Sequence, residues 1–392
     1  MSTILSVKHD QEYIKNMNRL LVLELIRKHR PVSRAELSKL AKMSATAIGR
    51  IVGDLIEGGL VQETDQFSSG VGRKATMLDI VNHSIISAGV EIDRNVLKIG
   101  LVDLDGSILA QVQHSLTPPA SQPEPLAGLI AESLSELAES KGLALSKFTG
   151  VGIGMPGVMD TASGKAVVSA QLGWSDVPFA PMLQDKLGLP VVLDNDLKVK
   201  ALGESGTAAL SEENKTVLIS IGSGVGSAIV IEGKIYRGAN NIAGEIGHST
   251  IDPNGKLCEC GKRGCLQTYI TDLAMLQEAN QIKPVASVDE LFALMKSGES
   301  WAYNIIDRAC TYIAITINNV VCTYNPDTII ITGHFIDSHP DILDKVRGKL
   351  KEFIWEPFVG TFKLTRSQLG DQAVVIGAAK LALQQYLGNG LQ

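Results

Sequence analysis

The sequence predicts a mixed α/β protein, in which a small N-terminal winged helix-turn-helix unit precedes a larger and internally duplicated body. Three observations support this fold class. Apolar residues before position 58 repeat at helical spacing, strand-like apolar runs and glycine-rich turns dominate afterwards, and an order of strands, helix and strand occurs twice. With 392 residues, of which 45% are hydrophobic and 20% charged, two or three domains with cores of their own are expected.

Two helices open the N-terminal unit. Apolar residues from Ile14 onward step by three and four, and we expect this helix to end at His29 because the residue before Pro31 avoids helical geometry. Ser33 and Glu36 then have the spacing of a capping box, in which each side chain accepts a hydrogen bond from the other residue's backbone N–H. A second, short helix is therefore predicted to begin there and to end near residue 42.

A third helix and a hairpin complete this unit. The helix is predicted to begin at Ser44 and to stop at Gly58, and its apolar residues form one continuous face. Strand-like runs at 60–63 and 75–78 flank a glycine-rich tip that carries Arg73 and Lys74. A short helix, a tight turn, a third helix and a hairpin are typical of a winged helix-turn-helix.

The side of the third helix that faces away from the core is our candidate for DNA binding. It carries Gly49 and Gly53, each of which costs a helix roughly 1 kcal/mol relative to alanine. Close approach to a DNA backbone would explain these glycines, whereas the alternative is a small helical protein-interaction domain with a hairpin. The predicted DNA contacts, in the groove, to phosphates and from the wing, are Ser44, Thr46, Arg50, Arg73 and Lys74.

Charge and cysteine content narrow the class of protein. Residues 1–80 hold 12 basic and 9 acidic side chains, and the remainder holds 24 basic and 33 acidic ones, which fits a basic unit that meets phosphates on an acidic body. Five cysteines, three of them close together, do not resemble a secreted disulfide framework. The sequence shows no secretion signal and no membrane-spanning apolar run, so we expect a cytoplasmic protein that does not insert into a membrane.

The body, from about residue 83, contains the duplicated α/β pattern. Each set has strand-like runs, a helix and a further strand, and several strands end in glycine or acidic residues. We expect two lobes with a ligand-binding cleft between them, since such strand ends are where α/β folds bind ligands. The predicted domains are 1–82, 83–195 joined by a C-terminal helix at about 371–390, and 196–370.

A stretch of nineteen residues, GHSTIDPNGKLCECGKRGC, concentrates potential metal ligands. His248, Cys258, Cys260 and Cys265 form a Cys3His set, which is typical of a tetrahedral zinc site. The alternatives are a disulfide pair or inert buried thiols. Because four protein ligands leave no open coordination position, the predicted zinc is structural.

The order of the motifs GMPGV, LDND, GSGVG, GEIGH and Cys-x-Cys-x4-Cys resembles the ROK family, which contains bacterial sugar kinases and sugar-responsive repressors. The resemblance covers about residues 85–385, and the repressor branch of the family carries an N-terminal winged helix-turn-helix. It implies an actin-like, ribonuclease H-like body of the sugar-kinase type. It also implies that sugar hydroxyls are bound by Asn195, Asp196, Glu245, His248 and Gln267, with the zinc holding the last three in place.

This chain departs from the family at two places. The family usually has glutamate in the sequence GCLE, whereas Gln267 stands here, which leaves the preferred sugar or its anomer open. The alternative for Gln267 is a solvent-exposed helix residue. Family kinases have Asp-x-Gly-Gly-Thr in the first strand turn, whereas this chain has Glu91–Asn95, where Asp93 would repel phosphate. The second glycine-rich loop, Gly222–Gly226, is intact. At the position of a later glycine pair, this chain has Gly333-His334.

The resemblance and these departures together predict a DNA-binding regulator that is not an enzyme. We expect a repressor of carbohydrate uptake or catabolism genes that binds operator DNA as a homodimer or dimer of dimers and is released by a sugar or sugar phosphate. Asp196 would be catalytic only in the alternative, a sugar kinase with a fused DNA-binding unit, where it would act as the general base. A second alternative is a repressor whose inducer is a sugar-transport protein.

Overall fold

The structure, a computed structural model, describes residues 11–67, 75–117, 121–205 and 215–388. The chain divides into two compact units, here called unit 1 (Met1–Asp194 with Val375–Gln392) and unit 2 (Asn195–Val374). Helices and strands alternate in both units, so the predicted mixed α/β class is confirmed. The finer predicted boundary at residues 82 and 83, within unit 1, stays a prediction.

The N-terminal part of unit 1, here called the head, contains three helices and a three-stranded sheet in the order β1-β3-β2. The predicted order of three helices and a hairpin is confirmed, and β1 is an addition that is too short to predict from a pattern. Arg73 and Lys74 lie outside the described residues. The elements of the head are α1 (Gln11–His29), β1 (Val32–Ser33), α2 (Arg34–Ala41), α3 (Ala45–Glu57), β2 (Val61–Phe67) and β3 (Ala75–Ile80).

Capping side chains determine where the head helices begin. Ser33 Oγ accepts a hydrogen bond from the backbone N–H of Glu36 at 3.2 Å, and the Glu36 carboxylate accepts one from the Ser33 N–H at 3.4 Å, which is the predicted capping box. Ser44 Oγ accepts from the N–H of Ala47 at 3.2 Å and caps α3. The buried apolar side of α3 consists of Ile48, Ile51, Val52 and Leu55.

A five-stranded sheet forms the rest of unit 1, in the order β11-β7-β4-β5-β6. Strands β4, β5 and β6 are antiparallel neighbours, whereas β7 runs parallel to β4. A small antiparallel sheet, β8-β9-β10, was not predicted. The elements are β4 (Ile86–Ile92), β5 (Val96–Asp103), β6 (Ile108–Ser115), α4 (Pro123–Ser140), β7 (Phe148–Met155), β8 (Val158–Asp160), β9 (Lys165–Ser169), β10 (Trp174–Val177), α5 (Phe179–Leu187) and β11 (Val191–Asn195).

Unit 2 repeats this sheet pattern, in the order β14-β13-β12-β15-β16. Strands β12, β13 and β14 are antiparallel, whereas β15 runs parallel to β12 and β16 parallel to β15. The repeat confirms the predicted duplication. The elements are α6 (Asp196–Glu204), β12 (Lys215–Ile221), β13 (Val225–Ile231), β14 (Lys234–Tyr236), α7 (Gln267–Ile270), α8 (Asp272–Ala279), α9 (Val288–Lys296), α10 (Ser300–Tyr324), β15 (Thr328–Thr332), α11 (His334–Asp337), α12 (Asp341–Phe353) and β16 (Lys363–Arg366).

Helix α10 is long and apolar enough to cross a membrane by length and composition alone. Its side chains instead form the centre of the unit 2 core, where Ile306, Ile313 and Ile317 are buried. In the described part of the chain it is the one helix that meets this criterion, and burial identifies it as a core helix.

The C-terminal helix α13 (Ala373–Gly388) packs directly on the unit 1 sheet. Gly89 and Gly152 are paired across β4 and β7, and a Cβ at these two positions would lie 1.9 Å from the carbonyl oxygen of Val375 and 1.8 Å from that of Ala378. Only glycine permits this approach of a helix backbone to the sheet. Further along α13, Leu383 packs against the core of the head.

Candidate functional site

The four predicted metal ligands lie together in unit 2. The ligand atoms of His248, Cys258, Cys260 and Cys265 are all within 4.8 Å of one another. Cys260 Sγ is 3.6 Å from Cys265 Sγ, and Cys258 Sγ is 3.9 Å from His248 Nδ1. Tetrahedral zinc with Zn–S bonds of about 2.3 Å requires sulfur atoms roughly 3.8 Å apart, so the donor set and its spacing fit a divalent metal such as zinc.

Tight turns bring the three cysteines together. The N–H of Cys258 donates to the carbonyl of Lys262 at 2.8 Å, and the N–H of Gly261 donates to the carbonyl of Cys258 at 2.9 Å. Gly264 has a φ of +70°, and a Cβ there would lie 1.5 Å from the carbonyl oxygen of Asp252. The loop can therefore close only with glycine at position 264.

The thiols of the cluster differ in acidity. Burial raises the pKa of Cys265 to about 12, whereas a hydrogen bond from the backbone of Lys262 lowers the pKa of Cys260 to about 7. A metal that bound all three as thiolates would displace the protons that these thiols still carry.

Glu245 and His248 lie on one turn, as their spacing predicted. The 3-10 helix Ile246–His248 follows Glu245, whose carbonyl accepts the N–H of His248 at 3.2 Å. His248 Nδ1 lies 3.9 Å from Cys258 Sγ, so Nδ1 is the ring nitrogen that faces this thiol. Glu245 and His248 are both exposed, which leaves them accessible to a ligand.

Gln267 opens helix α7 beside this cluster. Its Nε2 donates to Glu259 Oε1 at 2.9 Å and to Cys258 Sγ at 3.4 Å. Its Oε1 lies 3.1 Å from the position that a Cβ on Gly247 would take, so the side chain also reaches the GEIGH segment. Gln267 is half-buried, and its amide nitrogen already contacts two residues of the cysteine loop.

Asn195 and Asp196 form the start of α6. Asn195 Oδ1 accepts the N–H groups of Leu197 at 3.1 Å and of Lys198 at 3.2 Å, which caps the helix, and Nδ2 donates to Asp196 Oδ1 at 3.0 Å. Asn195 therefore fixes the orientation of the Asp196 carboxylate. Both residues are half-buried.

The first residues of β13 bring these groups to the same region of unit 2. Leu197 of α6 lies over Gly226, where a Cβ would be 2.9 Å from its Cδ2 atom. Gly247 approaches Val225 so closely that a Cβ would lie 2.1 Å from the Val225 carbonyl oxygen. The helix that Asn195 caps and the segment that carries His248 thus pack on the same end of one strand.

The outward side of α3 exposes three of the side chains that the sequence analysis proposed as DNA contacts. Thr46 and Arg50 are exposed, as is Ser44, whose hydroxyl also caps the helix. Among the described residues, no heavy atom other than chain neighbours and the helix backbone lies within 4 Å of a Cβ built on Gly49 or Gly53. Packing within the described chain therefore gives no reason for these glycines.

Side chains lie in the two turns where the resemblance to family kinases leads one to expect glycines. In the turn between β4 and β5, Asp93 Oδ1 accepts the N–H of Arg94 at 2.7 Å, and the Asp93 N–H donates to the carbonyl of Val96 at 2.8 Å. At the end of β15, His334 Nε2 lies 3.1 Å from Asp289 Oδ2. The segment Gly222–Gly226, which forms the loop after β12 and the first two residues of β13, keeps its three glycines.

Two charged residues of α6 were not predicted from the sequence. Lys198 is buried and binds Asn241, and Glu204 accepts hydrogen bonds from Ser367 Oγ and from the N–H groups of Gln368 at 3.1 Å and Leu369 at 3.0 Å. Lys198 could have been noticed, because it precedes the buried Ala201 and Leu202 by three and four residues on the apolar side of the helix. Glu204 gave no local signal.

Sequence comparison relates the chain to proteins of the ROK family. The sequence profile of the ROK family matches residues 87–385. The chain is 28% identical over 378 residues to the xylose repressor of Bacillus spizizenii, which covers 96% of this chain and 98% of the relative.

Solved structures similar to this chain include a ROK family transcriptional regulator and ROK family kinases. A crystal structure of a ROK family transcriptional regulator, a homolog of the E. coli MLC protein, is 26% identical with a TM-score of 0.81, covering 96% of this chain and 98% of that one. A ROK family glucokinase from Streptomyces griseus, in complex with glucose and AMPPNP, is 26% identical with a TM-score of 0.61, covering 76% of this chain and 99% of that one. The profile match spans more than half of the sequence, and the chain therefore belongs to the ROK family.

Proposed function

We propose that the chain is a sugar-responsive transcriptional repressor of carbohydrate uptake or catabolism genes, acting in the cytoplasm as a homodimer or dimer of dimers. The observation that carries this proposal is the combination of a head of three helices and a small sheet with a ROK body in one chain, which a xylose repressor matches over 96% of the length. The two glycines on the outward side of α3 support DNA binding by the head. Two heads in a dimer suit the two half-sites of an operator.

The residues proposed to bind the sugar all belong to unit 2. Carboxylate, amide and imidazole groups suit a sugar, because its hydroxyls both donate and accept hydrogen bonds. Asp196, which Asn195 orients, would accept from one hydroxyl without catalysing a reaction. The sugar must bind more tightly to the form that does not bind DNA, and a typical coupling free energy is about 1–3 kcal/mol.

We propose zinc as a structural cofactor at His248, Cys258, Cys260 and Cys265. When bound, zinc would supply a rigid tetrahedral link between the cysteine loop and the GEIGH segment. His248 would keep Nε2 for a sugar hydroxyl, since its Nδ1 faces Cys258. Gln267 is tied to the same loop through Glu259, so the loop would hold both side chains in position.

A sugar kinase with a DNA-binding head is the second candidate. The intact Gly222–Gly226 loop, the oriented Asp196 carboxylate and the similarity to a glucokinase favour it. The Asp93 carboxylate and the His334 side chain disfavour a kinase. Phosphoryl transfer needs backbone amides that bind the phosphates, and these two side chains stand where glycines are expected in family kinases. A third candidate is a repressor whose inducer is a sugar-transport protein, which a pull-down from cells grown with and without the transported sugar would reveal.

The deciding experiment is a thermal-shift screen against hexoses, pentoses, N-acetylated sugars and their 6-phosphates, each with and without ATP and Mg²⁺. A ligand well above its dissociation constant raises the unfolding midpoint by mass action. Stabilisation by one sugar, no response to ATP and release of DNA by that sugar are expected. Stabilisation by ATP, together with sugar-dependent ATP turnover that Asp196→Asn abolishes, would establish the kinase instead.

The zinc proposal has its own test. Cys260→Ser should lose bound zinc and sugar affinity together, whereas Cys322→Ser should keep both, because Cys322 is an exposed cysteine of α10 outside the cluster. Metal content by mass spectrometry and sugar affinity by calorimetry are the measurements. Full sugar affinity in a metal-free Cys260→Ser protein would overturn the supporting role of the metal.

A further inference from the structure

A buried lysine on α6 has no role in the site as described so far. Lys198 exposes only 5% of its surface, and its ammonium donates to the backbone carbonyl of Asn241 and, at 3.0 Å, to Asn241 Oδ1. Burial of an ammonium carries a large desolvation penalty unless fixed acceptors compensate for it. The two oxygens of Asn241 contribute to that compensation.

The partner of Lys198 lies in the loop that leads into the GEIGH segment. Asn241 has a left-handed backbone with a φ of +58°, and its Oδ1 also accepts from Arg237 Nη1 at 3.3 Å. The N–H of Ala243 donates to the carbonyl of Arg237 at 3.1 Å, which closes the loop. Gly244 and Glu245, which begin the GEIGH segment, follow Ala243 directly. We therefore expect the position of Glu245 to depend on the position of Asn241.

Lys198 also contacts the Asn195–Asp196 pair, the second group of candidate sugar-binding residues. Its backbone N–H is one of the two groups that the side chain of Asn195 caps, at 3.2 Å. The backbone of Lys198 therefore holds Asn195, which orients Asp196, and its side chain holds the loop before Glu245. One residue links both groups of ligand-binding candidates through a side-chain contact that spans 43 residues of sequence.

We propose that Lys198 is a positioning residue that fixes the spacing between the Asn195–Asp196 pair and Glu245, so that the sugar site is formed before the ligand arrives. The proposal rests on the sugar-binding function proposed above. A preformed site binds more tightly because less conformational freedom is lost on binding. In this proposal Lys198 acts through Asn195 and Asn241 and not by contact with the sugar.

The test compares Lys198→Met with Lys200→Met. Methionine keeps the unbranched stem and removes the ammonium, and Lys200 offers a matched control because it lies on the same helix and donates to Thr332 Oγ1 at 2.8 Å, away from Asn241. Hydrogen exchange of the unliganded proteins, read by mass spectrometry on a peptide spanning 237–245, reports the loop directly. We expect exchange in this peptide to accelerate about ten-fold or more in Lys198→Met and to stay unchanged in Lys200→Met.

Sugar affinity is the second readout, with D-xylose as the first probe and then the sugar that the thermal-shift screen selects. Lys198→Met should weaken it about ten-fold or more while zinc content stays the same as in the wild type, and Lys198→Arg should restore part of the loss. Unchanged exchange at 237–245, or unchanged sugar affinity despite faster exchange, would overturn the proposal. A wild-type protein that binds no sugar would refute the proposed function instead, and the exchange result would still show whether Lys198 holds the loop.

Discussion

Substituting alanine for the two glycines of α3 should make the protein more stable and a weaker DNA binder at the same time. Gly49 and Gly53 are in the interior of a thirteen-residue helix, and a Cβ at either position would meet no heavy atom within 4 Å among the described residues, chain neighbours and helix backbone aside. Alanine is therefore compatible with the fold of the head. The stabilisation expected from helix propensity is about 1 kcal/mol for each site.

The expected effect on DNA binding has the opposite sign. If the glycines allow α3 to approach the DNA backbone, a methyl group at the contact forces the helix outward, as an extra methylene does in a packed core. Overpacking of that kind costs about 1–3 kcal/mol, which corresponds to a loss of roughly 5- to 150-fold in affinity. Gly53 is the more exposed of the two glycines, so Gly53→Ala should have the larger effect.

The assay pairs chemical denaturation with fluorescence anisotropy on a labelled duplex selected from a random pool. Gly348→Ala is the matched control, because Gly348 lies in α12, which also has thirteen residues. Chain neighbours and the helix backbone aside, a Cβ on Gly348 would likewise meet no heavy atom within 4 Å in the described part of the chain. It should raise stability and leave DNA affinity unchanged. If Gly49→Ala and Gly53→Ala bind DNA as tightly as the wild type, the glycines do not mark the DNA-contacting side of α3, and the reasoning is refuted.

Three further predictions concern single residues. Arg50→Ala should weaken binding to all duplexes and reduce the salt slope by about one if Arg50 contacts phosphate, whereas relaxed preference at one base pair would show that it reads sequence. Ser33→Ala removes the cap of α2 and should lower the free energy of unfolding by about 1 kcal/mol in urea titrations, and an unchanged value would contradict a role for the capping box. Burial, and secondarily the charge of Arg27, lowers the pKa of Lys380 from 10.5 to about 7, so the folded protein binds fewer protons than the unfolded chain and stability should rise from pH 7 to 10.5. Lys380→Met should flatten that rise in melting experiments, and a rise of the same size in the variant would assign it to another group.

The sequence predicted what depends on neighbours in the chain. The capping box at Ser33 and the turn that carries Glu245 and His248 are interactions within three residues, so residue types and spacing suffice to predict them. The clustering of the candidate metal ligands was predictable for a related reason, since three cysteines within eight positions leave few ways to arrange their thiols. The duplicated sheets followed from apolar patterns, although the short strands β1 and β8 were too brief to show one.

Contacts between distant segments could not be predicted in this way. The ammonium of Lys198 reaches Asn241, and the carboxylate of Glu204 reaches a loop 164 residues later. A single sequence contains no signal for such pairs, because nothing in the local pattern identifies the partner. Gly89 and Gly152 were likewise unremarkable in the sequence, and only the backbone of α13 against β4 and β7 explains why neither can carry a side chain.

The departure from the family at position 267 illustrates the same limit. From the sequence alone, glutamine where the family usually has glutamate indicates that the preferred sugar or its anomer can differ. The structure adds a partner, because Gln267 Nε2 donates to the carboxylate of Glu259 at 2.9 Å. Glutamate at 267 would place two carboxylates at that distance, where like charges repel. Gln267 and Glu259 therefore have to be considered as a pair, and a change of sugar preference is not required to explain the glutamine.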